Sequence, residues 1–376
     1  MAGRRGVGES CQVAISDTEF MPGLELSRLL YTDAVRPILA KAYPGLPHAA
    51  ALVGAGSEVL GFDTPRSMDH DWGPRLLLFL TSDDAAAHSV DIHRVLAERL
   101  PKEIRGYPTN FQQVNDRVGY MDHTDGPVNH RVLAVEAGSW LTAQLGVDPT
   151  AGEITARDWL SIPQQHLAEV TAGAVFHDDL GTLSAARERL AWYPDQVWRY
   201  LLACQWQRIS QEEAFVGRCA EAGDPLGSAL VAGRLVRDLM RLCLLLGRRY
   251  APYGKWLGSA FKRLPEAERL TPSLQATLAA SGYRERAEHL CEAYEIVAVA
   301  HNESGLTAPL DTTCRRYHGR PYRVLFAERF ATAAAAAVTD PQLRDLPRIG
   351  SVDQWADSTD FLGAQNLRHA VTDALA

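Results

Sequence analysis

One stretch, residues 54–73, holds the residue types whose spacing could support chemistry. It begins where an apolar run ends, at a glycine-serine turn formed by Gly56 and Ser57. A turn of this kind, opening a short helix, presents backbone N–H groups and a hydroxyl that can bind a phosphate. The turn therefore predicts an anion site at the end of a strand.

Two carboxylates follow the turn. Asp69 and Asp71 stand two positions apart, just before the apolar run 76–80. We expect them at the start of a second strand, where side chains alternate and both carboxylates leave one face. His70, between them, is then expected to pack on the opposite face. Paired carboxylates opposite a phosphate site can hold Mg²⁺ ions that bridge the phosphates of a nucleotide, which predicts phosphoryl or nucleotidyl transfer.

The spacing of these residues resembles the signature of a known superfamily. Gly56-Ser57, eleven intervening residues and then Asp69-His70-Asp71 match the DNA polymerase beta-like nucleotidyltransferases, which include aminoglycoside nucleotidyltransferases and CCA-adding enzymes. The longer segment GSEVLGFDTPRSMDHDWG resembles a bacterial family of nucleotidyltransferase-like proteins described mainly as a domain of unknown function. The resemblance to that family extends along nearly the whole chain.

The resemblance implies an α+β fold, in which a polymerase beta-like nucleotidyltransferase sheet domain is followed by a C-terminal α-helical bundle. We expect the sheet domain, with an N-terminal packing helix, in residues 1–150 and the helical bundle in residues 151–376. Residues 250–261, YAPYGKWLGSAF, resemble the helical domains that accompany small-molecule nucleotidyltransferases.

The resemblance also implies a reaction, the metal-dependent transfer of a nucleoside monophosphate from an NTP to a small acceptor with release of pyrophosphate. Mg²⁺, or Mn²⁺ in its place, would be the cofactor and the NTP the co-substrate. Asp69 and Asp71 would bind the metal and act in catalysis, while Gly56 and Ser57 would hold the triphosphate. The acceptor would offer a hydroxyl or an amine.

The same reaction needs a base or a further metal ligand, which in this superfamily is often a third carboxylate. Glu136 is our candidate because it directly follows a β-prone run at 131–135. Asp91, Asp122 and Asp125 remain alternatives.

Three further residues are candidates for nucleotide binding. Arg66 and Ser67 lie on the loop that leads to the acidic pair, and the resemblance places a lysine, here Lys255, near the triphosphate. Glu212 and Glu213 could orient an acceptor amine, although acidic residues on a helix more often form a solvated face.

Composition narrows the range of partners. The 376 residues carry a formal charge of −8, which disfavours a nucleic acid as the main substrate and suits a neutral or cationic small acceptor. No run of eighteen apolar residues predicts a membrane span, and no apolar secretory segment is evident near the start. The six cysteines have no C-x-x-C spacing, so we expect reduced thiols in a cytoplasmic protein. The resemblance implies a bacterial protein, and the oligomeric state is unassigned.

Periodicity divides the chain into a mixed first part and a helical second part. The first is predicted to contain helices at 24–42, 89–100 and 140–145, strands at 49–55, 75–81 and 131–135, and a loop at 106–129. The second is predicted to contain long helices at 195–217, 226–249, 283–301 and 322–338.

Two other functions fit the same residues. One is a regulatory protein that binds a nucleotide without turning it over, which would not need the third carboxylate. The other is nucleotidyl transfer to a protein side chain or a tRNA end, which predicts a basic surface patch.

Overall fold

Two units make up the fold, which we describe from a computed structural model covering residues 19–113 and 119–374. The first unit comprises Met1–Gln144 and Glu169–Glu188, and the second comprises Leu145–Ala168 and Arg189–Ala376. The chain therefore leaves the first unit near residue 144 and returns to it at residue 169, whereas the sequence predicts a single boundary near 150.

The elements alternate between strands and helices as far as residue 178 and are then almost entirely helical. In chain order the first part contains α1 (Gly23–Leu29), a π-helical turn (Leu30–Val35), α2 (Arg36–Ala42), β1 (Ala49–Leu52), a 3₁₀ helix (Pro65–Asp69), β2 (Arg75–Leu80), α3 (Ser82–Arg99), β3 (Glu103–Ile104), β4 (Tyr107–Pro108), β5 (Asn110–Gln113), β6 (Gly119–Asp122), β7 (Arg131–Glu136), α4 (Ala137–Leu145), α5 (Ala156–Ser161), α6 (Gln164–Thr171) and β8 (Ala174–Asp178). The remainder contains α7 (Thr182–Arg189), α8 (Asp195–Glu212), α9 (Phe215–Glu221), α10 (Pro225–Leu246), α11 (Gly254–Phe261), α12 (Ala267–Ala279), α13 (Tyr283–Glu303), β9 (Arg315–Arg316), β10 (Arg323–Val324), α14 (Glu328–Ala336), α15 (Pro341–Arg344), α16 (Val352–Trp355), α17 (Thr359–Gly363) and α18 (Gln365–Ala374).

The first unit is built on a four-stranded mixed sheet with the order β7-β2-β1-β8. The central strand β1 is antiparallel to both β2 and β8, whereas β2 and β7 are parallel. In the parallel pair, Arg75 lies opposite Arg131 and Leu80 lies opposite Glu136. The sequence prediction of strands β1, β2 and β7 is confirmed, and the fold class is α+β.

Side-chain alternation along β2 gives the sheet two buried faces. Leu76, Leu78 and Leu80 pack with α1, α2 and α3 in one apolar cluster, while Leu77 and Phe79 belong to a second cluster on the other face. Because both faces of β2 are covered, the strand reads as a continuous apolar run.

Strand β8 is missing from the sequence prediction and accounts for the chain's return to the first unit. It pairs antiparallel with β1, so that Ala174 lies opposite Leu52 and His177 lies opposite Ala50. A five-residue run with mixed polarity between two helices carries a weak strand signal. Only its pairing partner, more than 120 residues earlier in the chain, identifies it as a strand.

The predicted loop at 106–129 also contains regular structure. Strands β5 and β6 form an antiparallel hairpin that pairs Asn110 with Asp122 and Gln113 with Gly119, and the part of the loop at 114–118 lies outside the described residues. Helix α3 begins seven residues before its predicted start because Thr81 caps it, accepting a hydrogen bond from the Asp84 N–H at 3.2 Å.

The second unit is mostly helical. The long helices predicted from periodicity are present as α8, α10, α13 and α14, although α14 starts at Glu328 rather than 322. Within the described ranges 19–113 and 119–374, no helix combines the length and apolar character that a bilayer crossing requires. Five of the cysteines are free thiols, four of them buried, and Cys11 falls outside the described residues.

A buried histidine lies at the centre of the second unit. His301 is 0% exposed and accepts a hydrogen bond at Nδ1 from Trp206 Nε1 at 3.1 Å, while its Nε2 contacts Thr307 Oγ1 at 3.1 Å. Its ring also meets the edge of Phe330 at 5.2 Å. Burial lowers the pKa of His301 to about 4 from 6.5.

We expect His301 to make the second unit acid-sensitive. Between pH 6.5 and 4 the unfolded chain binds a proton that the folded chain excludes, so the free energy of unfolding falls with decreasing pH by about 3 kcal/mol. Burial raises the pKa of Glu213 to about 7, which gives an opposite slope between pH 4.5 and 7. Urea unfolding of wild type and His301→Gln at pH 7 and pH 4.5 isolates the histidine, because Glu213 is present in both. Equal losses in the two proteins would contradict this role.

Candidate functional site

A glycine-rich loop leaves β1 at one edge of the sheet. Gly54 has φ +95° and donates its N–H to the Glu169 carbonyl at 2.8 Å, and Gly56 has φ +146°. The Phe62 N–H donates to the Ser57 carbonyl at 2.8 Å, so residues 57–62 form turns rather than the short helix expected from the sequence. The glycines supply the positive φ values that a β-branched or bulky residue would resist.

A buried ion pair holds this loop against β2. Glu58 is 2% exposed and its carboxylate accepts a hydrogen bond from Arg75 Nη2, which also donates to the Ala55 carbonyl at 2.9 Å. Arg75 is the first residue of β2, so one guanidinium joins the loop to the sheet. This pair is not among the residues predicted from the sequence, where its only signals are an acid directly after Gly56-Ser57 and a base before an apolar run.

Asp69 and Asp71 lie at the same sheet edge, but not on a strand as predicted. Asp69 ends the 3₁₀ helix, and Asp71 has φ +51°, in the left-handed region. The strand begins only at Arg75, because Gly73 has φ +143° and Pro74 has no N–H to donate to a ladder. The two carboxylates are therefore positioned by loop contacts, and the period-two argument for a shared face does not hold.

Two hydrogen bonds and one ion pair hold Asp71 in place. Its N–H donates to the Gly119 carbonyl at 2.8 Å, and its Oδ1 accepts from the Gly119 N–H at 3.1 Å. Arg131, the first residue of β7, places Nη2 3.0 Å from the same oxygen and stacks over the Phe111 ring at 4.9 Å. Asp71 thus joins the edge of β7 to the β5–β6 hairpin.

Asp69 is less constrained. Its carboxylate is about half exposed and lies 2.9 Å from His70 Nδ1. His70 is itself 58% exposed, so the expectation that it packs against the core is wrong. Carboxylate oxygens of this kind are hard donors that suit Mg²⁺, and Asp69 and Asp71 together could supply two of the few protein ligands that this ion usually takes.

Glu136 does not belong to this edge. It is the last residue of β7, five positions along the strand from Arg131, which places it roughly 16 Å from the Asp71 contact. Its carboxylate accepts hydrogen bonds from the N–H groups of Gly138 at 2.7 Å and Ser139 at 2.6 Å, at the start of α4. The structure therefore gives Glu136 a helix-capping contact at the opposite end of the sheet and does not bring it together with Asp71.

The alternative third carboxylates have other contacts. Asp91, on α3, accepts from the Tyr43 hydroxyl at 2.5 Å and pairs with Arg94 at 2.6 Å. Asp122 ends β6 and accepts from the His123 N–H at 2.9 Å, and Asp125 is exposed in the following loop.

The remaining candidates are spread over both units. Ser67 Oγ accepts from the Thr64 N–H at 3.0 Å in a capping box of the 3₁₀ helix, and Arg66 is exposed beside it. Lys255 is exposed on α11 of the second unit, with its ammonium 4.9 Å from the centre of the Trp256 ring.

Glu213, a candidate for orienting an acceptor amine, has a structural role instead. It is 7% exposed and accepts hydrogen bonds from three consecutive backbone N–H groups, those of Leu325, Phe326 and Ala327, at 2.9 to 3.1 Å. These contacts disagree with both interpretations of Glu213, as a residue that orients an acceptor amine and as part of a solvated helix face.

A second cluster lies at the opposite edge of the sheet. His48, at the start of β1, and His177 and Asp179, at the end of β8, bring potential ligand atoms within 4.8 Å of one another. Among the described residues this is the one group of three or more histidine, cysteine or acidic side chains arranged in this way. The group could hold a metal ion, and its nitrogen and oxygen donors suit transition metals and zinc better than Mg²⁺. The sequence does not predict this cluster, because strand β8, which carries His177 and leads to Asp179, is not predicted either.

Hydrogen bonds define the tautomer of His48. Its Nδ1 lies 3.0 Å from the Leu46 carbonyl, which can only accept, so Nδ1 carries the proton and Nε2 accepts from the Tyr31 hydroxyl at 3.0 Å. A metal at Nε2 would require the Tyr31 hydroxyl to turn away. His177 Nε2 is 2.8 Å from Asp179, and burial lowers the pKa of His48.

We expect Gly56→Ala to disturb the glycine-rich loop. A Cβ at Gly56 would lie 2.5 Å from Arg75 Nη2 and 2.7 Å from Glu58 Oε2, at a φ that L residues rarely adopt. The ion pair would have to move, which should lower the free energy of unfolding by about 1–3 kcal/mol. Thermal and urea unfolding would measure the change, with Gly126→Ala as control because a Cβ there approaches nothing closer than 3.7 Å. A Gly56→Ala protein as stable as Gly126→Ala would contradict this reading.

Comparisons with known proteins give a partial family match and a distant structural likeness. A family model described as a domain of unknown function, DUF4037, matches residues 159–257, about a quarter of the chain, and does not include the stretch from Gly56 to Asp71. No curated protein matches the chain significantly. One similar solved structure is that of a nucleotidyltransferase-like protein from Exiguobacterium sibiricum 255-15, with 11% sequence identity, a TM-score of 0.32, and coverage of 81% of this chain and 89% of that chain. The likeness to this structure is distant.

Proposed function

We propose that the protein is a Mg²⁺-dependent nucleotidyltransferase, which moves a nucleoside monophosphate from an NTP to a hydroxyl or amine of a small polar acceptor. The observation that carries the proposal is that Arg75, which binds the glycine-rich loop, and Arg131, which binds Asp71, lie opposite each other in strands β2 and β7. The first unit would then be a polymerase beta-like sheet domain, and the mostly helical second unit would be its companion. The motif spacing in the sequence supports the same reading.

The proposed roles follow from the donors at this edge. The N–H groups of the glycine-rich loop and the Ser57 hydroxyl would bind phosphate oxygens, and Asp69 and Asp71 would hold Mg²⁺. The ion would neutralise charge on the triphosphate and orient the α-phosphate. The acceptor oxygen or nitrogen attacks the α-phosphorus, the bond to the bridging oxygen breaks, and pyrophosphate leaves as the acceptor loses a proton.

Pyrophosphate release tests the proposal. Purified protein would be incubated with each NTP and Mg²⁺, with and without a pool of small metabolites and aminoglycosides. Release that requires both Mg²⁺ and the acceptor pool supports the proposal. His177→Gln serves as a control, because loss of the histidine cluster should leave release that depends on Asp69 and Asp71 unchanged.

Nucleotide binding without turnover is the second candidate function. It is favoured by the distance of Glu136 from Asp71 and by the pairing of Asp71 with Arg131, since both reduce the number of carboxylates that the described residues offer at this edge. This function predicts binding of a Mg²⁺–NTP complex in calorimetry, and no pyrophosphate under any acceptor. Absence of nucleotide binding would contradict both functions.

A further inference from the structure

A group of arginines lines a cavity within the second unit. Arg208 comes from α8, and α10 contributes Arg234, Arg237 and Arg241, whose spacing of three and then four residues places them on one helix face. The opposite wall is formed by residues 353–357, which include most of α16. The cavity has a volume of about 360 Å³ and is open to solvent. We call it the arginine pocket.

The walls of the arginine pocket contain hydrogen-bond donors with no acceptor. Arg237 Nε, Arg241 Nε and Trp355 Nε1 are buried, and none of them has a hydrogen-bond partner within the described part of the chain. A buried donor left unpaired costs about 1–3 kcal/mol, so the side chains of this wall are not fully satisfied by the protein itself. Burial also lowers the pKa of Arg241.

The acidic neighbours satisfy these guanidinium groups only in part. Asp238, which is 2% exposed, lies 3.4 Å from Arg208 and 3.7 Å from Arg237 Nε, which are long separations for hydrogen bonds. Arg237 reaches the exposed Asp357 at 3.4 Å, and Arg241 donates to the Asp353 carbonyl oxygen.

The fourth arginine has the closest carboxylate partner. Arg234 pairs with Glu212 at 2.8 Å, and its side chain is 49% exposed at the mouth of the pocket. A guanidinium has five N–H donors in a planar fork, so one short ion pair leaves most of the donors of Arg234 available. The pocket therefore keeps guanidinium N–H donors that its carboxylates do not engage, although the carboxylates of Glu212, Asp238, Asp353 and Asp357 match the four arginines in number.

We propose that the arginine pocket of the second unit binds a small phosphate-bearing anion. Phosphate offers three or more acceptor oxygens, which can meet several guanidinium forks at once. The volume suits a small ligand rather than a nucleic acid, and the net charge of −8 disfavours a polyanion track. This site is independent of the proposed chemistry of Asp69 and Asp71.

Calorimetric titration with inorganic pyrophosphate tests the proposal. The titration uses EDTA and the Asp69→Asn/Asp71→Asn background, so that Mg²⁺-dependent binding at the first unit does not contribute. We expect one pyrophosphate per chain, and at least tenfold weaker binding after Arg237→Gln. Arg249→Gln is the matched control, because Arg249 is exposed just after α10 and does not line the pocket.

Further arms make the outcome unambiguous. Arg234→Gln, at the exposed mouth, should also weaken binding and replaces Arg237→Gln if that protein fails to fold. Citrate should bind more weakly than pyrophosphate if the pocket selects phosphate, and equal or tighter binding would overturn that selectivity. No binding of pyrophosphate at millimolar concentration, or equal binding to Arg237→Gln, Arg234→Gln and Arg249→Gln, would overturn the proposal.

Discussion

Replacing Asp69 and Asp71 together by asparagine is expected to lower Mg²⁺-dependent pyrophosphate release by at least about 100-fold, the scale of removing one electrostatic contact to the transition state. Asparagine keeps the size of each side chain and one acceptor oxygen, so the Gly119 contact of Asp71 can persist. It also tolerates the left-handed φ of +51° at position 71. The loss would therefore report the missing negative charges rather than a disturbed loop.

The matched control for this experiment is Asp83→Asn. Asp83 is exposed in the first turn of α3, in the same unit but beyond the other end of β2. The Asp83→Asn variant should release pyrophosphate at a rate within about twofold of the wild-type rate. An acid in the first turn of a helix contributes about 0.3–1 kcal/mol to helix stability, and Asp83 has no proposed contact with the nucleotide. Equal activity of the double variant and Asp83→Asn would exclude the acidic pair as a metal site.

Arg75→Met is expected to lower the free energy of unfolding of the first unit by about 3 kcal/mol, because it leaves the Glu58 carboxylate buried without its partner. It also removes the hydrogen bond to the Ala55 carbonyl, so the glycine-rich loop should loosen. Urea unfolding measures the stability. Hydrogen exchange at the amides of β1 and β2 reports the first unit specifically, since the two units need not unfold together.

A double variant separates the charge from the packing. Glu58→Gln/Arg75→Met removes the unpaired charge and should be more stable than Arg75→Met alone, whereas Glu58→Gln by itself should cost about 1 kcal/mol. If the effects of the two single variants simply add, the ion pair contributes nothing beyond its separate side chains. The interpretation of Glu58 and Arg75 as the link between loop and sheet would then be wrong.

Local sequence patterns were sufficient to predict the strands and helices whose buried residues follow a regular pattern. The sequence correctly predicts strands β1 and β2 from their continuous apolar runs, and helices α8, α10 and α13 from their helical periodicity. In each case the buried residues recur at a regular spacing along the chain. The predicted strand at 75–81 agrees with β2, but the expectation that Asp69 and Asp71 lie at its start is wrong. Gly73 and Pro74 are local signals that the strand begins after the Asp-x-Asp pair.

Strands and side-chain clusters that depend on residues far away in the chain could not be predicted from the sequence. Strand β8 takes its identity from pairing with β1, and the histidine cluster exists only because that pairing brings His177 and Asp179 to His48. Likewise, parallel pairing of β7 with β2 puts Arg131, rather than Glu136, beside Asp71.

The sequence by itself determined the α+β character, the mostly helical second part, and the types of side chain that could bind a nucleotide and a metal. Residue type and short-range periodicity suffice for those, since they follow from backbone geometry and local burial. The tertiary structure alone decided which charges meet. It paired Glu58 with Arg75, held Asp71 by Gly119 and Arg131, and gathered the arginines of α8 and α10 around one cavity. Strand register and helix packing determine these contacts between residues that are far apart in the chain. A local sequence pattern carries no information about such contacts.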